Sequence, residues 1–262
     1  MKAVFLPEER AFIRYLEIPG ADPPLLWLHG WQCSSTGELL PAAVQPPLRG
    51  RRSLLIDFLG HGYSDKPNDF AYSMEAHART VVACIDALGI DGCGLVGHSM
   101  GGGVAVLTAA ARPDVVSLLM MAEGVLEGDG EVVFDGQPED EFVGEGFDEL
   151  LRGQREDALT TPTGVRAKHV GITQLIEPRA LHREAVSMRD GTDPSIRGSL
   201  AVLTIPRWYV IGELSDAENL QADLAAIGVG WKVVPDAGHP MALQNPEGVA
   251  RAVAEAASAA WD

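Results

Sequence analysis

Short apolar runs separated by longer stretches of helical periodicity form the main pattern of this chain. The first two runs alternate apolar and polar residues, which predicts an antiparallel hairpin at a sheet edge. The later runs are nearly continuous in apolar residues, as expected for strands that helices cover on both faces. The predicted strands are Ala3–Leu6, Ala11–Ile18, Leu25–Leu28, Ser53–Asp57, Gly94–Gly97, Val116–Ala122, Arg207–Ile211 and Trp231–Val234.

Helical patterns between these strands give an alternation that is typical of a mainly parallel sheet with crossover helices. In the first of them, Ala76, Val81 and Ile85 recur at helical spacing. The predicted helices are Met74–Leu88, Gly101–Ala111, Asp216–Ile227 and Pro246–Ala260.

The interval from Gly124 to Leu203 breaks this alternation. It carries no strong strand pattern, and its mixed, charged sequence is compatible with helices. So long an interval in a compact fold is usually an inserted module. We therefore predict a core domain of residues 1–123 and 204–262 and an inserted cap of residues 124–203.

Composition and charge narrow the classes of partner. Hydrophobic residues make up 46% of the 262 residues, enough for a sizeable buried core. The formal net charge is −17, which argues against nucleic acid and anionic membrane surfaces, because both need a positive patch. We expect a small-molecule substrate that is not strongly anionic.

The cysteines and the N-terminal segment indicate the cellular compartment of the protein. Cys33, Cys84 and Cys93 have no metal-ligand spacing and cannot all pair with one another, which favours a reducing environment. The first residues lack a signal peptide's apolar region, and no apolar run reaches the roughly 18 residues of a membrane helix. We predict a soluble, cytoplasmic protein, as a monomer or a homodimer.

The stretch GLVGHSMGGG, residues 94–103, places a serine among glycines where a strand gives way to a helix. A turn this tight strains its central residue, Ser99, and requires neighbours with little or no side chain, as Gly97 and Gly101 provide. The helix N-terminus offers free N–H groups to a developing oxyanion. The pattern G-x-S-x-G between a strand and a helix predicts a nucleophilic serine.

A serine nucleophile needs a general base and an acid that orients the base. His239 is the best-placed histidine, since it follows the last predicted strand, where such sheets assemble their sites. For the acid we prefer Asp216, which follows the strand Arg207–Ile211. Glu213 is a competing neighbour, and Glu123, after the preceding strand, is the second candidate.

The segment His29-Gly30-Trp31 follows an early strand and is a candidate for half of an oxyanion hole. The backbone N–H of Trp31 could converge there with that of Met100. His29, Trp31, Met241, Phe142 and Phe147 are candidate lining residues of a substrate pocket, although the cap residues among them could equally form the core of the cap. They predict a moderately hydrophobic substrate.

Five segments together resemble the α/β-hydrolase superfamily in order and spacing: LLWLHGW, DFLGHGYSDKP, LVGHSMGGGVA, YVIGELSD and DAGHPMALQNPE. The resemblance implies an α/β fold with a mostly parallel eight-stranded sheet, helices on both faces and a helical cap. It also implies a triad of Ser99, Asp216 and His239, oxyanion donors at Trp31 and Met100, and no metal or organic cofactor. The acid commonly falls one position earlier, at Ser215, which keeps Glu123 as an alternative.

The resemblance implies a serine hydrolase that cleaves an ester, thioester or lactone, because relatives with an aspartate nucleophile carry out other chemistry. C–C bond hydrolysis with the same triad is an alternative, in which Arg166 or Lys168 would be the basic residue near a substrate carboxylate. A ligand-binding or receptor-like protein with little turnover, and a lyase or cofactor-free oxygenase using the same pocket, are the other hypotheses.

Overall fold

A single eight-stranded sheet organises the computed structural model, which describes residues 1–126, 137–160, 164–216 and 220–261. Its strand order is β1-β2-β4-β3-β5-β6-β7-β8. The pairs β1–β2 and β2–β4 are antiparallel, and the others are parallel. The strands are β1 (Lys2–Leu6), β2 (Ala11–Ile18), β3 (Ala21–Leu28), β4 (Arg51–Asp57), β5 (Cys93–His98), β6 (Val116–Ala122), β7 (Arg207–Gly212) and β8 (Gly230–Val234).

The predicted strands and the predicted fold class are confirmed. The largest difference is at β3, which begins four residues before the predicted Leu25. The four earlier residues, Ala21–Pro24, include two prolines and lack the apolar run that marks the rest of the strand. A strand of this kind leaves little periodic signal at its beginning.

Helices fill the connections. The helices are α1 (Ser35–Glu38), α2 (Leu40–Ala43), α3 (Met74–Ala87), α4 (Met100–Ala111), α5 (Glu139–Glu141), α6 (Phe147–Thr160), α7 (Gly164–Thr173), α8 (Pro178–Asp190), α9 (Ile196–Val202), α10 (Leu220–Ala226), α11 (Met241–Gln244) and α12 (Pro246–Trp261). A π-helical turn, Phe142–Gly146, joins α5 to α6, and Pro46–Leu48 form a 3₁₀ turn. The described part of the predicted helix Asp216–Ile227 is helical over Leu220–Ala226, and residues 217–219 lie outside the described residues.

Two apolar layers pack on opposite faces of the sheet. One contains Val81 of α3 and Val104 of α4, and the other contains Trp27 of β3 and Val253 of α12. Burial on both faces explains why the central strands have continuous apolar sequences. None of the described helices combines the length and apolarity needed to cross a membrane.

The described residues between β6 and β7 include helices α5 to α9, which we call the helical segment. It has a small apolar core of its own, formed by Phe142, Ile176, Leu181 and Ala185. Residues 127–136 and 161–163 of the predicted cap lie outside the described residues. The helical segment packs against Trp31, which belongs to the loop after β3.

A buried charged group joins the helical segment to α3 and to the loop after β4. Glu184 of α8 has no exposed surface, and its Oε1 accepts hydrogen bonds from Nε2 of His61 at 2.7 Å and of His77 at 2.8 Å. Nδ1 of His61 faces the Cys33 carbonyl oxygen at 2.8 Å, so both ring nitrogens of His61 face acceptors. Burial alone would raise the pKa of Glu184, but the charge of His61 and the hydrogen bonds from both rings lower it to about 2.

We expect Glu184→Gln to lower the free energy of unfolding by about 3 kcal/mol, because it leaves a buried imidazolium without its counter-charge. Glu139→Gln is the matched control, since Glu139 forms its ion pairs on the surface of the same segment and should contribute less than about 1 kcal/mol. Urea unfolding measures both. Because the pKa of Glu184 is lowered from 4.5 to about 2, its contribution is present above pH 4.5 and is lost as the pH falls towards 2. Equal losses at the two positions would contradict this account.

Candidate active site

Ser99 occupies the sharp turn between β5 and α4. Its backbone has φ +52° and ψ −122°, a left-handed conformation that is rare for a residue with a side chain. The Ser99 N–H donates to the carbonyl oxygen of Ala122 at 3.0 Å, and the Ser99 carbonyl accepts from the N–H of Gly102 at 2.9 Å. These bonds hold the strained residue, which remains partly exposed, at the end of β5.

The glycines beside Ser99 are required by close backbone contacts. A Cβ at Gly97 would lie 2.2 Å from the carbonyl oxygen of Gly101, and a Cβ at Gly101 would lie 2.3 Å from that of Leu28. The turn therefore brings β5, α4 and β3 closer together than any side chain would permit. This geometry explains the glycine pattern seen in the sequence.

We expect Gly97→Ala to destabilise the protein by more than about 3 kcal/mol, because the new methyl group would overlap backbone atoms. Gly153→Ala is the matched control. Gly153 is an exposed position of α6 with open space around its Cβ, so alanine there should stabilise by about 0.5–1 kcal/mol. The melting temperatures of the two variants should shift in opposite directions from that of the wild type. Shifts of the same sign would contradict the packing described.

His239 and Glu123 form a hydrogen-bonded pair beside the serine turn. Nδ1 of His239 lies 2.8 Å from Oε2 of Glu123. Since a carboxylate only accepts, Nδ1 carries the proton, and Nε2 of a neutral His239 has a free lone pair. The His239 side chain is 54% exposed, so this nitrogen belongs to an accessible imidazole.

Several donors hold the Glu123 carboxylate. Oε1 of Glu123 accepts a hydrogen bond from the Gly212 N–H at 2.8 Å. The backbone N–H of Glu123 donates to the carbonyl oxygen of Val210 at 2.9 Å. Burial alone would raise the pKa of Glu123, but hydrogen bonds from His239, Ser215 and Gly212 lower it below its ordinary value. The group is therefore an oriented carboxylate at neutral pH.

Asp216, the preferred acid in the sequence, does not hold the position on Nδ1. Asp216 is exposed and directly precedes residues 217–219, which are outside the described residues. Glu123 leaves the end of β6, the strand between β5 and β7, and its own φ of +43° marks a tight turn there. The carboxylate that contacts His239 is thus that of Glu123, the second candidate from the sequence.

The loop after β3 approaches the serine turn from the other side. A Cβ at Gly30 would lie 3.1 Å from the Cβ of Ser99, so the two backbones are in close contact. Met100 is the first residue of α4, where N–H groups have no partner within the helix. These are the positions that the sequence predicts for two oxyanion donors, Trp31 and Met100.

Side chains of the same loop contact the helical segment. Trp31 Nε1 donates to the Leu181 carbonyl of α8 at 3.0 Å. Gln32 Oε1 accepts from Nε2 of Gln154 in α6 at 2.7 Å and lies 3.3 Å from Nε2 of His169 in α7. The position of this loop is therefore coupled to three helices of the segment.

Three of the five predicted pocket residues are packed inside the protein. His29 has no exposed surface, its Nδ1 bonds the Gly30 carbonyl at 2.8 Å, and its Nε2 accepts the Phe58 N–H at 3.1 Å. Burial lowers the pKa of His29 to about 3, so it is neutral and structural. Met241 lies in the apolar layer beneath α12, and Phe142 in the core of the helical segment.

Of the predicted pocket residues, Trp31 and Phe147 keep exposed surface. Both pack against the core of the helical segment, beside the loop that contacts the serine turn. A fully buried side chain cannot touch a ligand in this conformation, whereas these two can. They are the remaining candidates for an apolar wall.

Two basic residues considered for a substrate carboxylate lie on α7. Arg166 pairs with Asp157 at 2.8 Å, and Lys168 is exposed beside a groove lined by Thr36, Tyr63 and Ile172. Neither is placed against Ser99 or His239 by its contacts. Across the described residues there is no group of three or more histidine, cysteine or acidic side chains arranged to hold a metal ion.

Sequence reasoning missed the buried partners of the site histidines. Glu38 contacts His98 beside the serine turn, and Glu184 contacts His77 of α3. Each pair is far apart in sequence, so no spacing rule connects them. The only local signal was a glutamate in a stretch of small and apolar residues, as in CSSTGELLPAA.

A mostly parallel sheet with a strained serine turn and an adjacent histidine–carboxylate pair is typical of one class of protein. A family model of the α/β-hydrolase fold matches residues 23–170, which is more than half of the chain. The chain belongs to the α/β-hydrolase fold family.

Individual relatives are similar over different extents. The 2-hydroxymuconate semialdehyde hydrolase of Pseudomonas sp. (strain CF600) is 37% identical over 103 residues, 39% of this chain and 36% of that relative. The chain therefore matches only about a third of that relative's length. Among solved structures, a thermophilic esterase from Thermogutta terrifontis is 22% identical with a TM-score of 0.82, covering 96% of this chain and 95% of that one. The enol-lactonase from Burkholderia xenovorans LB400 is 17% identical with the same TM-score, covering 98% and 100%.

Proposed function

We propose that this protein is a serine hydrolase that cleaves a carboxylic ester, thioester or lactone through an acyl-enzyme on Ser99. The proposal rests on two features that occur together. Ser99 has a backbone with positive φ at a helix N-terminus, and the Nδ1 atom of His239 is hydrogen-bonded to a carboxylate. That combination supplies a nucleophile, a base with its lone pair on Nε2, and an acid that fixes the tautomer. The hydrolase, the esterase and the lactonase to which the chain is similar support the general class of hydrolase.

The proposed reaction passes through two tetrahedral intermediates. His239 Nε2 accepts the Ser99 proton as Oγ attacks the carbonyl carbon, and the N–H groups of Trp31 and Met100 stabilise the oxyanion. His239 then protonates the leaving group, whose bond to the acyl carbon breaks. Water, deprotonated by His239, attacks the acyl-enzyme and releases the acid and the Ser99 hydroxyl. Glu123 remains ionised throughout and stabilises the imidazolium.

The helical segment is proposed to act as a cap that sets substrate choice, because it contacts the oxyanion loop through Trp31 and Gln32. The apolar surfaces of Trp31 and Phe147 favour a moderately hydrophobic acyl group. The test is hydrolysis of p-nitrophenyl esters of increasing acyl length. We expect turnover with an optimum at intermediate length, whereas a preference for charged, hydrophilic esters would contradict the substrate proposal.

C–C bond hydrolysis is the second candidate, favoured by the 37% identity to a 2-hydroxymuconate semialdehyde hydrolase over part of the chain. It would need a cation for the substrate carboxylate. Neither Arg166, which pairs with Asp157, nor Lys168, which lies beside the groove of Thr36 and Tyr63, is placed against Ser99 by its contacts, and this favours ester cleavage. Faster turnover of a vinylogous diketone acid than of any ester in the series would reverse this order.

A further inference from the structure

A buried ion pair lies behind the serine turn and is not part of the proposed triad. Glu38, at the end of α1, is 2% exposed, and His98, the last residue of β5, is 4% exposed. Oε1 of Glu38 lies 2.8 Å from Nδ1 of His98. A buried charge pair costs desolvation free energy and is weak evidence for stability, so its position invites a functional explanation.

The two ends of this pair contact the loops that carry the proposed chemistry. Oε2 of Glu38 accepts the N–H of Gly30 at 3.1 Å, immediately before the predicted oxyanion donor Trp31. Nε2 of His98 bonds the carbonyl oxygen of His239 at 2.8 Å. The His98 and His239 rings are also packed together, with centroids 4.7 Å apart.

These contacts determine the protonation of His98. One ring nitrogen faces a carboxylate and the other a carbonyl oxygen, and both partners only accept. The Nε2 hydrogen bond places a proton on that nitrogen, and the buried Glu38 carboxylate 2.8 Å from Nδ1 favours a second proton there, which makes His98 an imidazolium. Burial alone would lower the pKa of His98, but Glu38 and the His239 carbonyl raise it, with Glu123 adding a smaller effect. Burial would likewise raise the pKa of Glu38, but His98 and the Gly30 N–H lower it to about 2.

We propose that Glu38 and His98 form a positioning pair that fixes the positions of the oxyanion loop, the serine turn and the His239 loop relative to one another. The pair acts through other residues: Glu38 fixes the backbone at Gly30, and His98 fixes the backbone of the base. The inference rests on the proposed function for its kinetic consequence but not for its structural part. A misplacement of about 1 Å in such a constellation can cost on the order of 10²-fold in rate.

Glu38→Ala and Glu38→Gln separate positioning from charge. Alanine removes the hydrogen bond from Gly30 and the charge contact with His98, and we expect kcat for p-nitrophenyl ester hydrolysis to fall by about 10²-fold with KM changed less than about 3-fold. Glutamine can accept the Gly30 N–H and donate its amide to a neutral His98, which keeps its remaining proton on Nε2. The bond to the His239 carbonyl then survives, so kcat should stay within about 5-fold of the wild type.

Asp57→Ala is the matched control. Asp57 is a buried carboxylate that accepts the N–H groups of Thr36 at 3.2 Å and Tyr63 at 3.1 Å, so its loss also leaves backbone donors unpaired near α1. Its hydrogen bonds do not include Gly30 or His98. We expect a lower melting temperature with kcat within about 3-fold of the wild type. Kinetic losses that follow the melting temperature across all three variants would overturn the positioning role.

A measurement without turnover tests the pair itself. In ¹⁵N NMR spectra of the histidine rings at neutral pH, His98 should show two protonated nitrogens in the wild type and only a protonated Nε2 in Glu38→Gln. A neutral His98 in the wild type would overturn the inference. A wild type that shows this imidazolium but cleaves no ester would instead contradict the proposed function, so the two failures are distinguishable.

Discussion

We expect Ser99→Ala to lower kcat for p-nitrophenyl ester hydrolysis by roughly 10⁵- to 10⁶-fold, the range seen when a triad nucleophile is removed. The reason is chemical, since no other group at the turn offers an oxygen nucleophile to the bound carbonyl. The fold should persist, because the hydrogen bonds recorded for Ser99 are made by its backbone N–H and carbonyl. Steady-state kinetics with matched circular-dichroism melting curves measure both effects.

Ser73→Ala is the control for this variant. Ser73 caps α3 with its side chain, so its loss should cost about 1 kcal/mol of stability while leaving turnover unchanged. Retention of more than about a hundredth of wild-type activity in Ser99→Ala would assign the nucleophile elsewhere.

The second large effect is expected at the acid. Glu123→Gln should reduce kcat by about 10⁴-fold, because an amide that donates to Nδ1 favours the wrong imidazole tautomer. Asp216→Asn should remain within about 3-fold of the wild type, since the carboxylate on His239 belongs to Glu123. Both substitutions keep side-chain volume and remove one charge, so they form a matched pair.

The two variants are compared by the ratio of their kcat values. A larger loss in Asp216→Asn than in Glu123→Gln would restore the sequence preference and contradict the acid proposed from the structure. Comparable large losses in both would mean that two carboxylates share the task.

The strands were predictable because their signal is local. Continuous apolar runs mark strands that are buried on both faces, and the run at β6 ends at Ala122 in sequence and structure alike. The strained turn at Ser99 was equally visible, because the glycines that permit it are neighbours in the chain.

The identity of the acid was not predictable in the same way. Both candidates follow strands, and the choice depends on which strand end approaches His239 in three dimensions. His29 and Met241 show the opposite error: each is a neighbour of a site residue in sequence, but packing turns its side chain into the interior. The Glu38–His98 contact joins residues sixty positions apart, a pairing that only the folded chain establishes.

Fluorophosphonate labelling followed by peptide mass spectrometry tests the central claim most directly, because it reports the reactivity of Ser99 without requiring the right substrate. We predict one adduct, on the peptide that contains Ser99, in the wild type and none in Ser99→Ala. A wild type that stays unmodified, or an adduct on another residue, would contradict the proposal that Ser99 is an activated nucleophile.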